Sequence, residues 1–369
     1  MVRSSRSIPA RRAGRRWYAA VGVLSLVLTS CSFIEIDSPL TTFEPAGPFA
    51  DRIDDLFWPT FWVATGVFAL VQGAILFAVF AFRDRPGRKE PKQVHGNAVL
   101  EVTWTVIPAL ILAVLAVPTV QAVFDLTECG RDAIDVQVIG HQWWFEYIYP
   151  EELGAIHTAN VLVMPEDQEI CARMTSDDVI HNFWIPALNG KRYLVPGQET
   201  TLRLQADDPG EYWGHCAEFC GLSHSLMRAR AQVVTAAEFD RWVASQQEPM
   251  VVPEPGTPEY AGLEVFAAKG CASCHNLDLT EADRQGLTDA GLAITAVDPA
   301  AFNGPDLTHF ATRNVFAGAA LPEEGASFEE SLALWLANPP DIKPGSFMPN
   351  LGLTGEEIDS VIAWLESNT

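Results

Sequence analysis

The sequence predicts a multidomain membrane protein: an N-terminal two-helix transmembrane hairpin, then an all-β sandwich, then an all-α domain. Three observations predict it. Of 369 residues 48% are hydrophobic, yet the formal net charge is -23, so apolar and acidic residues must be segregated along the chain. Two long apolar stretches lie in the first third. Beyond them, short β-branched runs bounded by turn residues give way to segments of helical periodicity.

At the start, Arg3, Arg6, Arg11, Arg12, Arg15 and Arg16 precede the apolar run AAVGVLSLVLT and then Ser30 and Cys31. That is the layout of a secretory signal with a small residue before the cut. LTSC resembles the bacterial lipobox, in which the cysteine is lipidated and becomes the mature N-terminus. This gives a signal over 1–30, lipid on Cys31 and an external tether over 31–55. An ordinary signal peptide or an uncleaved first helix are the alternatives.

A helix needs about 20 apolar residues to cross a bilayer, and 56–82 and 101–124 both supply them. The loop between them, 83–100, holds Arg83, Arg85, Arg88, Lys89 and Lys92. The positive-inside rule places it in the cytoplasm, so everything after Asp125 is external. Glu101 sits at the cytoplasmic edge of the second stretch. An ionisable residue at a membrane boundary is a functional candidate, set against a carboxylate that only marks the helix end.

Residues 130–245 read as a β-sandwich through runs such as AIDVQVIGHQWWFEYIY, ANVLVMP and RARAQVVT. The stretch 246–257 is rich in proline (Pro249, Pro253, Pro255) and reads as a semi-stiff spacer. Residues 258–369 are helical by periodicity. From residue 124 onward, 38 Asp and Glu face 12 Lys and Arg, which favours a basic partner and argues against nucleic acid. A solvated surface gives the same composition.

Two motifs carry chemistry. CAEFCGLSHSLM gathers Cys216, Cys220, His224 and Met227 in twelve residues, and DDVIHNFWIP offers His181 as a second imidazole. Soft thiolate, imidazole and thioether donors select copper. One thiolate with two imidazoles and an axial methionine would be a mononuclear site, and a Cys216–Cys220 disulfide is the structural alternative. CASCH places Cys271, Cys274 and His275 in the pattern of covalent c-type haem attachment. A redox disulfide or half a zinc site would not need the adjacent histidine. Met348, ahead of the last helix, offers a second axial ligand, with His309 as its competitor.

GCASCH, GPDLTHFATR and FMPNLG occur in the order found in class I cytochromes c. That resemblance implies Met348 as distal ligand and Pro305 in the segment packed on the haem. The copper loop with His181 resembles the dinuclear CuA centre of cytochrome c oxidase subunit II, which implies a cupredoxin-like fold for the sandwich. It also implies that the backbone carbonyl of Glu218 is a sixth ligand and that its side chain reaches an interface magnesium. VLEVTWTVIPALIL is similar to the family's second transmembrane helix, where the glutamate matching Glu101 admits protons. GHQWWFEY is similar to its aromatic segment, where the tryptophan matching Trp143 lies between the electron donor and copper. His141 and His215 have no ligand role in that pattern and are expected on the surface or in loops.

The resemblance implies subunit II of a bacterial aerobic oxidase in the inner membrane, with both cofactor domains on the periplasmic side. It further implies that electrons pass from cytochrome c or the preceding respiratory complex to the haem, then to CuA and on to subunit I, where oxygen reduction is coupled to proton pumping, and that subunit III completes the complex. The chain has eight histidines, none within either apolar stretch, so another subunit must hold the oxygen-reducing site. A copper carrier would need no covalent haem, a nitrous oxide reductase would lack the hairpin, and a quinol oxidase subunit would lack the copper ligands. Cys129 and Cys171 remain of the seven cysteines, and outside the membrane they are a candidate disulfide.

Overall fold

In a computed structural model, which describes residues 39–87, 93–292, 294, 304–322 and 325–369, two long helices lead into a β-sandwich and then a helical domain. The signal, Cys31 and part of the basic loop lie outside the described residues. Helix α1 (Pro48–Ala81) begins ahead of the continuous apolar stretch, with Pro48 in its first turn, where the missing N–H costs nothing. Helix α2 (Ala98–Asp125) is capped by Asn97, whose side chain accepts from the amides of Val99 and Leu100. Both helices contain an apolar stretch long enough to cross a membrane.

Arg52 of α1 lies 3.5 Å from Asp125 at the end of α2, so the two run antiparallel as a hairpin. Several contacts fix the hairpin to the next domain. Arg203 donates to the carbonyl of Asp125, Thr201 Oγ1 donates to that of Thr127 at 3.2 Å, and a disulfide joins Cys129 to Cys171.

The sandwich consists of β1 (Ile134–His141), β2 (Trp144–Ile148), β3 (His157–Ala159), β4 (Val161–Pro165), β5 (Ile170–Ser176), β6 (His181–Trp184), β7 (Arg192–Leu194), β8 (Thr200–Leu204), β9 (Gly210–Cys216) and β10 (Arg228–Val234). One sheet has the order β3-β2-β1-β5-β8 and the other β4-β10-β9-β6-β7. Pairs β1/β5 and β4/β10 are parallel, so the chain crosses between sheets instead of meandering. Inward residues of both sheets, among them Val138, Tyr147, Leu162, Met174 and Phe183, are fully buried between them. Sheet pairing sets Phe183 opposite Cys216 and Trp184 opposite His215, so the end of β6 pairs with the end of β9 and His181 falls beside the loop that follows β9.

Helix α3 (Ala236–Gln246) closes the sandwich, opened by a capping box between Thr235 and Glu238. The helical domain holds α4 (Pro258–Ala268), α5 (Glu281–Asp289), α6 (Phe328–Ala337), the short α7 (Pro339–Ile342) and α8 (Gly355–Ser367). Helices α4 and α8 cross closely: a Cβ on Gly262 would lie 2.6 Å from that of Trp364. Phe266 and Trp364 pack there with ring centroids 4.7 Å apart. Met250, within the proline-rich stretch, is buried in this core and its amide donates to Asp278 O at 2.9 Å.

The helical domain also seats directly on the sandwich. Arg228 N donates to Gly318 O at 2.8 Å, Ser223 Oγ to Pro344 O at 2.7 Å, and Asn314 to the carboxylate of Glu211. His141 and His215 depart from the expectation of surface or loop positions. Both lie in strands, and His141 is buried, stacked on Trp144 at 4.4 Å and bonded to Glu146 at 3.0 Å. The carboxylate satisfies the imidazole, which removes the cost of burying it.

Candidate metal and haem sites

The loop between β9 and β10 folds back on itself because Cys216 N donates to Met227 O at 2.8 Å and Ala217 N to Asn182 O at 3.0 Å. Those bonds bring six donors together. The sulfurs of Cys216 and Cys220 lie 3.7 Å apart, too far for a disulfide and close enough to share metal ions between them. Cys216 Sγ is 4.0 Å from His181 Nδ1 and 3.2 Å from the carbonyl oxygen of Glu218. Cys220 Sγ is 3.6 Å from His224 Nδ1 and 3.9 Å from Met227 Sδ. His181, Cys216, Cys220 and Met227 are buried. Among the described residues, His181, Cys216 and Cys220 form the one cluster of at least three His, Cys or acidic groups compact enough to hold a metal ion.

The electrostatics suit a cation. Sharing a proton with Cys220 and accepting from His181 holds the Cys216 thiol well below the usual thiol range, against the opposing effect of burial. The same pairing pushes Cys220 up. A cation bound between two thiols at this spacing would displace the proton they share, since thiolates are the metal-binding form. Asp178 Oδ1 lies 2.8 Å from His181 Nε2, which leaves Nδ1 facing the sulfurs. The donor set, with soft sulfurs, imidazoles and a thioether, fits copper.

In the helical domain Cys271, Cys274, His275 and Met348 line one cavity of about 330 Å³, together with Pro305, Leu332 and Trp335. His275 Nδ1 donates to the carbonyl of Pro305 at 2.8 Å, so Nε2 is left to take a metal. Burial holds this imidazole below its usual range and therefore neutral, the form that ligates. His309 does not line the cavity; its Nδ1 donates to the carbonyl of Thr369 at 3.0 Å. The residues present fit a covalently attached haem.

The sandwich supplies part of this cavity's wall through Gln142, Trp143, Trp144 and Asn160. Trp143 is only 5% exposed, and its indole Nε1 donates to Cys220 O at 3.1 Å. Gln142 Nε2 donates to the same carbonyl at 2.6 Å. Both side chains thus touch the copper loop and the haem cavity, and of the two Trp143 spans them with an aromatic ring. Sequence reasoning missed Gln142, Asp178 and Lys343, whose Nζ donates to the carbonyls of Trp143 and Ala317. Asp178, three residues before His181, had a signal in its spacing; the other two had none.

Two residues stand apart from these sites. Glu101, in the first turn of α2, accepts from Asn97 N at 3.1 Å and so reinforces the helix cap. The Glu218 carboxylate lies beside the Tyr193 hydroxyl and raises that phenol.

Fold and sites together define a membrane-anchored redox protein with a cupredoxin-type sandwich and a c-type haem domain. Family profiles agree: cytochrome c oxidase subunit II, transmembrane domain, matches residues 39–122, the periplasmic domain of that subunit matches 151–234, and cytochrome c matches 260–369. Subunit 2 of cytochrome c oxidase from Alkalihalophilus pseudofirmus is 33% identical over 359 residues, which covers 95% of this chain and 96% of that protein. The same subunit from Bacillus sp. strain PS3 is 32% identical, with 95% and 97% covered. Quinol oxidase subunit 2 of Bacillus cereus is 34% identical over 58% of this chain and 75% of its own length. The crystal structure of the periplasmic domain of cytochrome oxidase subunit II of Bradyrhizobium japonicum covers 32% of this chain and 97% of its own, with 27% identity and a TM-score of 0.32. The chain belongs to the cytochrome c oxidase subunit II family and carries a cytochrome c domain, which makes it a component of a terminal oxidase.

Proposed function

We propose that this chain is the electron-accepting subunit of the oxidase, with a c-type haem and a dinuclear CuA centre wired in series. In this reading Cys271 and Cys274 would anchor the haem, and His275 and Met348 would ligate its iron. His181, Cys216, Cys220, His224, Met227 and the carbonyl of Glu218 hold two copper ions. Haem and copper, when bound, supply the one-electron chemistry, and the chain fixes their ligands and excludes water. The observation that carries the reading is Trp143, bonded to Cys220 O at 3.1 Å while lining the haem cavity.

Trp143 is therefore the internal bridge from haem to copper, and an external donor delivers electrons to the helical domain. That donor is a cytochrome c or the preceding respiratory complex. Around the copper loop Val179, Ile180, Tyr193 and Phe219 are exposed, an apolar rim of the kind that marks a protein interface. Subunit I, with the oxygen-reducing site, docks there; Glu218 contributes to a magnesium site at that contact, and subunit III completes the complex. Glu101 admits protons from the cytoplasmic side, and oxygen reduction in subunit I is coupled to proton pumping. The chain is placed in the bacterial inner membrane with both cofactor domains on the periplasmic side, after a signal that ends before a lipidated Cys31. Its domains run 56–82 and 101–124 for the membrane spans, 130–245 for the copper domain and 258–369 for the haem domain, with 246–257 between them.

The test is stopped-flow reduction of the assembled oxidase, following haem and copper absorbance separately. The haem is reduced first and copper second, and Trp143→Phe slows the second phase with both spectra intact. Copper reduced while the haem is still oxidised would contradict the order.

A further inference from the structure

Lys343 lies five residues before Met348, in the helical domain, yet its amine reaches into the sandwich. It is 4% exposed, and its Nζ donates to the backbone carbonyl of Trp143 and to that of Ala317, the latter at 2.9 Å. Among the described residues no carboxylate pairs with it, and burial brings the amine down to about 7. An ammonium in such a place is unfavourable, and an apolar side chain of the same length would fill the volume at lower cost. The amine therefore has a directional role.

The surrounding backbone is built to the same end. Gly318 has φ +77°, and a Cβ there would collide with Lys343 Nζ and with the Trp143 carbonyl. Gly345 has φ +83°, and a Cβ there would lie 2.7 Å from Trp143 Cη2. Both positions thus require glycine for conformation and for closeness. Trp143 is held at three points: its carbonyl by Lys343, its ring against Gly345 and its Nε1 by Cys220.

We infer that Lys343 is a positioning residue that clamps Trp143 across the domain junction and so sets the rate of electron transfer from the haem domain to the copper loop. The inference rests on the wiring proposed above. It assigns to an amine outside both ligand sets the task of keeping the two domains in register.

The test compares Lys343→Met, which keeps the stem and removes the donors, with Lys343→Gln, which returns donors on a shorter stem, in the assembled oxidase. The readout is the haem-to-copper rate after rapid reduction of the haem, alongside haem and copper content and both reduction potentials. Lys343→Met is expected to slow the step on the order of 10- to 100-fold, the scale that a misplacement of about 1 Å produces. Content and potentials stay unchanged, and Lys343→Gln recovers part of the rate. Gly318→Ala, which presses on the same clamp from the other side, slows the same step should Lys343→Met fail to assemble. An unchanged rate in Lys343→Met, or a slowing that only tracks lost haem or copper, overturns the clamp and leaves the wiring standing. If the unaltered oxidase reduces copper ahead of its haem, the wiring itself fails.

Discussion

Asp178 holds the imidazole of His181 from behind: its Oδ1 lies 2.8 Å from Nε2, and Nδ1 on the opposite edge faces the Cys216 sulfur. Asp178 is also tied to the backbone, accepting from the amides of Val179 and Gln142, each at 2.6 Å. Removing the carboxylate charge while keeping the shape leaves the ring free to turn. Asp178→Asn is expected to weaken copper binding about 10- to 100-fold, as measured by chelator competition. Unchanged affinity would mean that the strand alone orients His181.

The two sulfurs at 3.7 Å predict a bridged pair of ions, not two independent sites. Cys216→Ser removes one bridge and the softest contact to His181. The variant should bind one copper or none, and its absorbance should lose the features of a shared pair. Two tightly held coppers in Cys216→Ser would contradict a thiolate bridge.

Met348 lines the haem cavity, while His309 is bonded to the C-terminal residue. Met348→Ala should keep the covalent haem and lower its reduction potential, because the thioether ligand raises it. His309→Ala should leave the potential where it was. Redox titration of both variants decides between the two candidate ligands, and the reverse pattern would exchange their roles.

Glu146 accepts from His141 at 3.0 Å and from His157 at 3.3 Å. Burial raises this carboxyl, but the two histidines outweigh it and bring it down to about 2. A carboxyl with a depressed folded value stabilises the fold above its unfolded value of 4.5, and that contribution is lost as pH falls through 2. His157, raised by the bond to Glu146, contributes below its unfolded value of 6.5 and loses that contribution as pH rises through its raised folded value. Glu146→Gln is expected to destabilise the sandwich by roughly 1 kcal/mol near pH 6, below the usual range for a charged hydrogen bond because His157 is exposed. The deficit should shrink as pH falls toward 2. Thermal unfolding of the full chain in detergent across that range checks it, and a deficit independent of pH would rule out the charge as its source.

The parts of this architecture that are local in sequence were legible there. The copper loop packs five of six donors into Cys216–Met227, and CASCH carries three haem contacts in five residues. The hairpin declares itself by length and hydropathy. Helix α3 also had a local signal, the Thr235 to Glu238 spacing of a capping box, although the stretch reads as the end of the sandwich. What could not be read is long-range. The bond between Lys343 and Trp143 joins residues 200 positions apart, and no periodicity encodes it. Even the short-range bond that buries His141 was hidden, because Glu146 stands opposite Ile139, diagonal to His141, in a β1–β2 register that only the fold establishes. Likewise, the proline-rich stretch looks like a spacer, yet Met250 anchors it in the haem-domain core.

Metal content with an EPR spectrum, on the full chain purified in the assembled oxidase, tests the central claim most directly. After the contribution of the other subunits is subtracted, the account predicts two coppers per covalent haem in this subunit. It also predicts a signal from one unpaired electron shared equally by both coppers. One copper, or a signal confined to a single ion, would contradict a dinuclear centre on Cys216 and Cys220.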